Sequence, residues 1–330
     1  MADALRVDTA AESAISDTVA IVGCGLIGQA WAVVFLRGGC SVRLYDANPD
    51  VACAAPAAIS KRLEELDAAG LLSEKGTDEL LSELLVCDTL QDTVQYADYV
   101  QENGPETLEI KAKLTQAVDA YAAAGVAIGS STSGIPTSRY ASDVPGRNRC
   151  LVAHPINPPH LIPAVEIVPA PFTDYETTDC VMRLMERVGQ TPIRLEAEID
   201  GFLVNRLQGA LLTEAFQLLE QGIATADGID KAICDGLGLR WALMGPFQTI
   251  HLNAPGGIGH YVDRYGPMYK DMFASASSEP DWAAALAAGL EETLCTRFPV
   301  RDLPRLQAER DTALAALMAY KQGHSSKMKI

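Results

Sequence analysis

Residues 18–46 read TVAIVGCGLIGQAWAVVFLRGGCSVRLYD and contain a complete β-α-β unit. The run TVAIV is short, apolar and rich in β-branched residues, which predicts a strand, and SVRLY predicts a second strand by the same criteria. Between them the apolar residues have helical spacing up to a closing pair of glycines. A strand, a helix and a strand within about thirty residues predict the start of a parallel sheet.

Three glycines at the end of the first strand form the pattern G-x-G-x-x-G: Gly23, Gly25 and Gly28. Gly23 permits a tight turn, Gly25 lets the backbone approach a ligand, and Gly28 lets the helix pack against the strand. The free N–H groups of the first helical turn then attract the pyrophosphate of a dinucleotide. We therefore assign Gly23, Gly25, Leu26, Ile27 and Gly28 to a cofactor site, although glycines of this spacing also occur in tight turns without a ligand.

Asp46 ends the second strand, eighteen residues beyond Gly28. A carboxylate at this position accepts hydrogen bonds from the ribose hydroxyls and repels a 2′-phosphate, which favours NAD over NADP. FAD uses the same glycine pattern, so the pattern alone identifies neither the cofactor nor the reaction.

Further strands and helices alternate along the first two thirds of the chain. Short apolar runs occur at 84–88, 97–102, 126–132, 150–155 and 164–169, with helical stretches between several of them. This alternation predicts an α/β fold with a doubly wound, mainly parallel sheet of the Rossmann type. From Phe202 onward the apolar spacing is helical. We predict a lead-in at 1–17, a nucleotide-binding domain at 18–199 and an all-helical domain at 200–330, of which residues 266–330 carry no motif that we recognise.

Composition excludes several classes of partner. The chain has 330 residues, 48% of them apolar and 21% charged, and no apolar stretch approaches the roughly 20 residues of a membrane span. The formal net charge of −17 disfavours binding to nucleic acid or to anionic lipid. Eight cysteines without a C-x-x-C pair indicate reduced thiols and a cytoplasmic protein without a metal site.

One histidine lies at the end of a predicted strand, His154 in CLVAHP, and Glu166 lies in the next strand, AVEIVP. Strand ends of an open α/β sheet deliver side chains to the ligand crevice. An alcohol loses a hydride readily only if its proton also leaves, and a histidine oriented by a carboxylate suits that task. A buried structural histidine beside an ordinary strand glutamate is the alternative.

Two further residues are candidates for the same site. Ser133, in SSTSGIP, follows a predicted strand and could contact both nicotinamide and substrate, while Asn205, in GFLVNRL, could donate a hydrogen bond to the reacting oxygen. On spacing alone, Ser133 is equally a turn residue and Asn205 equally a helix cap.

Taken together and in this order, GCGLIG, SSTSGIP, HPINPP, VEIVP and GFLVNRLQ resemble the 3-hydroxyacyl-CoA dehydrogenase superfamily. The stretch from EIDGFLVNRLQ to HLNAPGG is most similar to its lambda-crystallin branch, the L-gulonate 3-dehydrogenases. The resemblance implies a Rossmann domain, a helical dimerisation domain and therefore a homodimer, NAD as cofactor, and an active site formed by Ser133, His154, Glu166 and Asn205.

The same resemblance adds three residues to the site. It places Glu106 and Lys111, in GPETLEIK, beside the cofactor, and Asn157, in HPINPP, as a support for the reacting centre and the substrate. Without the resemblance, the first two would be assigned to a solvated helix start and the third to a turn.

The substrate is expected to be a small 3-hydroxy acid of the gulonate type. Superfamily members that use CoA esters tend to carry a lysine-rich helical hairpin after the second strand, whereas residues 47–80 contain only Lys61, Arg62 and Lys75 as cations. A free acid needs a buried cation, and Arg240, in GLGLRWALMG, is our candidate for a bidentate carboxylate clamp, with an ordinary ion pair as the alternative.

Three alternatives remain open at this stage. A 3-hydroxyacyl-CoA ranks second as substrate. Carnitine ranks third, with Trp241, Tyr261 and Tyr265 as possible members of an aromatic cage for its quaternary ammonium. The lambda-crystallin resemblance also permits a structural NAD-binding protein without turnover, against which the complete Ser, His, Glu and Asn set argues.

Overall fold

The computed structural model describes residues 18–72, 75–274 and 289–324. Within these ranges the chain divides between Leu203 and Val204 into two compact units, which are described separately. The predicted lead-in at 1–17 lies outside the described residues. None of the helices in the described ranges has the length and apolar character that a membrane span needs.

The first unit is built on a sheet to which eight strands of the described residues contribute, in the order β3-β2-β1-β4-β5-β6-β7-β8. All neighbouring strands are parallel except β6 and β7. This arrangement confirms the predicted doubly wound, mainly parallel sheet. The strands are β1 (Thr18–Val22), β2 (Ser41–Tyr45), β3 (Leu84–Val86), β4 (Tyr99–Glu102), β5 (Ala127–Ser130), β6 (Cys150–Pro155), β7 (Ala164–Pro169) and β8 (Thr191–Arg194).

Helices cover this sheet and bury its apolar strands. The side chains of Val19–Val22 in β1 are buried, as expected for a central parallel strand covered on both faces. Trp31 and Phe35 of the first helix are fully buried and stack at 5.4 Å between ring centroids. The helices are α1 (Leu26–Arg37), α2 (Pro49–Ala68), α3 (Thr77–Ser82), α4 (Leu90–Val94), α5 (Leu108–Tyr121), α6 (Thr137–Tyr140) and α7 (Tyr175–Arg187), with a 3₁₀ turn at Arg147–Arg149.

The topology fixes where a ligand can bind. The chain runs outward from β1 to β3 on one side and from β4 to β6 on the other, so the strand order reverses between β1 and β4. In open α/β sheets, ligands bind at the carboxyl ends of the strands at such a reversal. An open crevice of about 870 Å³ lies there, lined by residues of the loops that follow β1, β2 and β4.

The end of the sheet departs from the simple parallel pattern. Strand β7 pairs antiparallel with β6, and β8 returns parallel to β7. In this register His154 lies directly opposite Glu166. The sequence reading did not identify β8, a short edge strand that contains Pro192.

The second unit is helical in its described residues, as predicted. Its helices are α8 (Val204–Glu220), α9 (Ala226–Lys231), α10 (Gly238–Trp241), α11 (Pro246–Leu252), α12 (Gly257–Ala274), α13 (Glu291–Arg297) and α14 (Leu303–His324). A π-helical turn at Ala232–Leu237 joins α9 to α10, and a 3₁₀ turn at Val300–Asp302 precedes α14.

Candidate functional site

The glycine-rich loop between β1 and α1 has the geometry of a phosphate cradle. Gly23 has φ +96°, and a Cβ atom on Gly28 would lie 1.9 Å from the Gly23 carbonyl oxygen, so these two positions need glycine. Gly25, which caps α1, would meet no atom within 4 Å if it carried a Cβ atom. In addition, α1 has neither a side-chain cap nor an acidic residue in its first turn. Its N–H groups can therefore donate to an anion, as the residues Gly25 to Gly28 were predicted to do.

Asp46 connects this loop to the predicted ribose position. Its carboxylate accepts hydrogen bonds of 2.8 Å from the backbone N–H of Cys24 and of 2.8 Å from that of Asn48. A carboxylate offers about four acceptor positions, so two remain toward the crevice, which Asp46 lines. The residues present therefore fit a dinucleotide with unphosphorylated ribose hydroxyls. Burial, and then the charge of Asp46, raise the pKa of the Cys24 thiol to about 12.

His154 and Glu166 form a buried pair on the β6–β7 hairpin. Nδ1 of His154 lies 2.7 Å from Oε2 of Glu166, and both side chains are buried, Glu166 completely. An ionised carboxylate can only accept, so Nδ1 carries the hydrogen and donates it. Nε2 is then the basic nitrogen, and the pairing holds the imidazole in that tautomer.

The second oxygen of Glu166 is also held. The backbone N–H of Leu203 donates to Oε1 over 2.7 Å. The neighbouring Phe202 is fully buried, and its ring centroid lies 5.5 Å from that of His154 at a tilt of 53°. The sequence reading missed both contributions.

Glu106 organises the loop that carries Ser133. Its Oε1 accepts from the Thr132 hydroxyl at 2.6 Å and from the Ser133 backbone N–H at 2.9 Å, with the Ser133 hydroxyl at 3.4 Å. Its Oε2 lies 3.5 Å from the Lys111 ammonium. The structure therefore brings Glu106, Lys111 and Ser133 together.

Lys111 is buried, whereas Glu106 is partly exposed. Its side chain is 1% exposed and pairs at 3.1 Å with Glu102, which is equally buried, whereas Glu106 is 43% exposed. Glu102 also accepts from the Ser130 hydroxyl and from the Gly104 backbone N–H, each at 2.5 Å. Glu102 was missed, although a carboxylate at the end of β4, in DYVQEN, is the kind of signal that identified Asp46.

A second polar cluster lies beneath the crevice, centred on Ser131. Its hydroxyl accepts from Trp31 Nε1 at 3.0 Å and from Gln101 Nε2 at 2.6 Å, and donates to Asn103 Oδ1 at 2.7 Å. Because a hydroxyl has one donor and two acceptor positions, Ser131 is saturated. It joins α1, β4 and the end of β5, which fixes the position of Asn103 at the crevice wall.

Three predicted residues remain, Asn157 on the first unit and Asn205 and Arg240 on the second. Asn157 is exposed and precedes Pro158 through a cis peptide bond. Asn205 lies in the first turn of α8, two residues beyond Leu203 along the chain, and Arg240 is an exposed residue of α10. Among the described residues, no group of three or more His, Cys, Asp or Glu side chains could hold a metal ion.

Comparisons with known proteins agree with this geometry. The family model described as the NAD binding domain of 3-hydroxyacyl-CoA dehydrogenase matches residues 18–199, and that of its C-terminal domain matches residues 201–286. A lambda-crystallin homolog of Bos taurus is 40% identical over 306 residues, 92% of this chain and 95% of that protein. An L-carnitine dehydrogenase of Streptomyces griseus is 38% identical over 297 residues, 89% of this chain and 86% of that protein.

A solved structure is similar over nearly the whole chain. It is a 5-formyl-3-hydroxy-2-methylpyridine 4-carboxylic acid 5-dehydrogenase, described as an NAD+-dependent dismutase. The TM-score is 0.75 at 28% sequence identity, and the match covers 93% of this chain and 99% of that one.

Proposed function

The chain belongs to the 3-hydroxyacyl-CoA dehydrogenase family, and we propose that it oxidises the 3-hydroxyl group of a small 3-hydroxy acid of the L-gulonate type. The family matches confirm two predictions, NAD as cofactor and a dehydrogenase that acts on a CH–OH group. The observation that carries the proposal is the 2.7 Å contact between His154 Nδ1 and Glu166 Oε2 at the end of the sheet.

His154 is the proton acceptor in this proposal. When bound, NAD supplies the acceptor for the hydride that leaves the carbon of the alcohol. The hydroxyl proton passes to Nε2 of His154, so the substrate loses one hydride and one proton and becomes a ketone. Glu166 then faces an imidazolium and stabilises its charge. Ser133 and Asn205 are proposed to donate hydrogen bonds to the reacting oxygen, and Asn157 to support the substrate.

The cations of residues 47–80 support a free acid rather than a CoA ester. Lys61 lies 3.9 Å from Glu65 and Lys75 lies 3.5 Å from Glu79, one helical turn away in each case. Arg62 donates to the Gln29 side chain at 3.0 Å. The two lysine pairs are exposed and weak, so the support comes from the number of cations, because three offer little attraction to the phosphates of CoA. The structural relative described as a pyridine carboxylic acid dehydrogenase also acts on a free acid.

Carnitine is the second candidate substrate. The L-carnitine dehydrogenase relative and a cluster of tyrosines on α12 favour it. The rings of Tyr261 and Tyr265 lie 4.7 Å apart, but the Arg264 guanidinium lies 5.2 Å from the Tyr265 ring centroid. That ring face therefore already has a cation, which leaves less of the cluster for a quaternary ammonium.

Initial rates of NADH formation test the proposal directly. L-gulonate, L-3-hydroxybutyrate, L-carnitine and L-3-hydroxybutyryl-CoA are compared with the wild type and with His154→Ala. We expect a preference for a free acid and a loss of about 10²–10⁴-fold in kcat for the variant. NAD titration is the control, and the variant should bind NAD as the wild type does. A strong preference for the CoA ester would reject the substrate assignment, and firm NAD binding without turnover on any substrate would support the crystallin-like alternative.

The role of Arg240 has its own test. If Arg240 binds the substrate carboxylate with two parallel hydrogen bonds, Arg240→Lys should raise KM for the acid about tenfold or more, with a smaller change in kcat. Arg310→Lys is the matched control, because Arg310 is an exposed arginine of α14 that pairs with Asp311. Equal KM values for the two variants would reject a role for Arg240 in substrate binding.

We also propose that the protein acts as a homodimer through its second unit. Within the described residues of this unit, only Thr249, Ala315 and Met318 are buried. Large apolar side chains are instead exposed, among them Leu207, Ile223, Leu239, Phe247, Leu252 and Val262. An apolar surface of this extent indicates a protein partner, and a second copy of the chain is the simplest one.

A further inference from the structure

The turn that precedes the second unit contains an unusual backbone conformation. Phe202 has φ +53°, and it alone among the non-glycine residues of the described ranges has a positive φ. Gly201, immediately before it, has φ +74°. A bulky aromatic residue adopts the left-handed region rarely and at an energetic cost, so the surrounding structure must impose this conformation.

The turn delivers a backbone donor to the catalytic pair. Phe202 N–H donates to the Ile199 carbonyl at 3.1 Å, which closes the turn, and the next N–H, that of Leu203, points at Oε1 of Glu166. Glu166 thus accepts at both oxygens, from His154 on one side and from Leu203 on the other. The terminal torsion of a glutamate is otherwise broad, and two donors in different directions fix the plane of the carboxylate.

The Phe202 side chain anchors this turn. Its ring packs in a small apolar cluster with Val152 of β6, Val168 of β7 and Leu195, which follows β8, and is itself fully buried. It also contacts the imidazole of His154. Burial of an aromatic ring is a large favourable contribution, which offsets the cost of the left-handed backbone.

Two polar contacts attach the same turn to α6. Oε1 of Glu198 accepts from the Ser138 backbone N–H at 2.9 Å, and both oxygens of Asp200 lie 2.8 Å from the Arg139 guanidinium. The Arg139–Asp200 pair is exposed, so it contributes less than the buried ring. We name residues 198–203 the clasp.

We propose that Phe202 is a positioning residue for the oxidation. Through its buried ring the clasp holds the Leu203 N–H against Glu166, and Glu166 in turn holds His154 in the orientation and tautomer that leave Nε2 basic. The kinetic side of this inference rests on the proposed function, whereas the geometric side is independent of it. Nothing in the sequence indicates this role. The hydrogen bond to Glu166 comes from the backbone N–H of Leu203, which every residue type except proline supplies, and a buried Phe202 is by itself an ordinary core residue.

The kinetic test separates positioning from packing. Phe202→Leu keeps an apolar side chain in the cluster but removes the ring from His154. We expect kcat to fall about tenfold while KM for NAD changes less than about twofold, since misplacement of a catalytic group lowers the rate without touching the cofactor site. Leu63→Ala is the matched control, because Leu63 is a fully buried residue of α2 and its truncation opens a cavity in the same unit but outside the Phe202 cluster. It should lower Tm at least as much as Phe202→Leu and keep kcat within about twofold of the wild type.

A spectroscopic test needs no turnover. In protein labelled with ¹⁵N-histidine, the His154 Nδ1–H should give a downfield proton signal that exchanges slowly, assigned by its loss in His154→Gln. Phe202→Leu should shift this signal upfield or speed its exchange, and Leu63→Ala should leave it unchanged. If Phe202→Leu does not fold, Asp200→Asn, at the surface of the clasp, should speed the exchange and lower kcat about twofold to threefold.

The outcomes distinguish the two proposals. A wild type without activity on any hydroxy acid would reject the proposed function, while the histidine signal would still report on the clasp. An active wild type whose Phe202→Leu variant behaves like Leu63→Ala, in kcat and in the Nδ1–H signal, would overturn the role of Phe202 alone.

Discussion

At the scale of single residues, we propose that the carboxylate of Asp46 both stabilises the glycine-rich loop and binds the cofactor. It accepts from the backbone N–H groups of Cys24 and Asn48, which holds the glycine-rich loop against β2. Its remaining lone pairs and its charge face the crevice. Substitutions at this position should therefore separate a structural effect from an electrostatic one.

We expect Asp46→Ala to narrow the preference for NAD over NADP by about tenfold or more, measured as the ratio of the two kcat/KM values. The reason is that the variant loses both the acceptor for the ribose hydroxyls and the charge that repels a 2′-phosphate. Asp46→Asn removes the charge and one of the two loop hydrogen bonds but keeps one acceptor oxygen, so it should narrow the ratio as well. An unchanged ratio of the kcat/KM values for NAD and NADP in both variants would reject a role for Asp46 in the choice of cofactor.

The sequence predicted a pair of His154 and Glu166, and the structure places the two side chains in contact. They could be paired in advance because His154 lies at the end of one predicted strand and Glu166 near the start of the next, so the turn between the strands can bring them together. Leu203 could not be found, because it acts through a backbone N–H that every residue type except proline provides. Ser131 was overlooked for a related reason, since a loop serine has many ordinary uses and its partners come from three separate elements.

At the scale of elements, two glycines at the start of α1 have different constraints: Gly25 caps the helix, and Gly28 lies in its first turn. Gly28 faces the Gly23 carbonyl, so a methyl group there must displace the helix from the strand. Gly25 has ordinary helical-cap geometry with φ −67° and open space beside it. The first constraint belongs to the fold, and the second arises only when a pyrophosphate is bound.

Gly28→Ala should destabilise the protein by about 2 kcal/mol and lower Tm by roughly 5 °C, as overpacking does. Gly25→Ala should keep Tm within about 2 °C of the wild type but weaken NAD binding about tenfold, because its methyl group occupies the phosphate cradle. Thermal unfolding and NAD titration of both variants check the pair. Wild-type NAD affinity in Gly25→Ala would place the pyrophosphate elsewhere.

Strands could be predicted wherever they are apolar, and this holds for β1 to β7. Strand β8 was not predicted because TPIR is short, partly exposed and contains a proline. Edge strands tolerate proline, whereas central strands do not. The strand order could not be read from the sequence either, since pairing depends on which crossovers pack against the sheet. The glycine pattern supplied the order of the first strands only because it is tied to a known topology.

At the scale of the whole molecule, the two units differ in how they bury apolar side chains. The first unit buries many apolar side chains between its sheet and its helices, whereas many large apolar residues in the described part of the second unit are exposed. The net charge of −17 makes separate chains repel one another at long range but does not cover an apolar face. A second copy of the chain would cover that face and preserve symmetry.

Sedimentation velocity at micromolar concentration should therefore give a species of twice the 35.2 kDa of one chain. Phe247 is 74% exposed on α11, and Phe247→Glu should weaken self-association by about tenfold or more, because it places a charge on the apolar face. Tyr96→Glu is the matched control, since Tyr96 is 68% exposed on the first unit, and its variant should associate as the wild type does. A wild type that sediments as a single chain would reject the homodimer. If Phe247→Glu and Tyr96→Glu weaken self-association equally, the added charge and not the position of Phe247 would explain the effect.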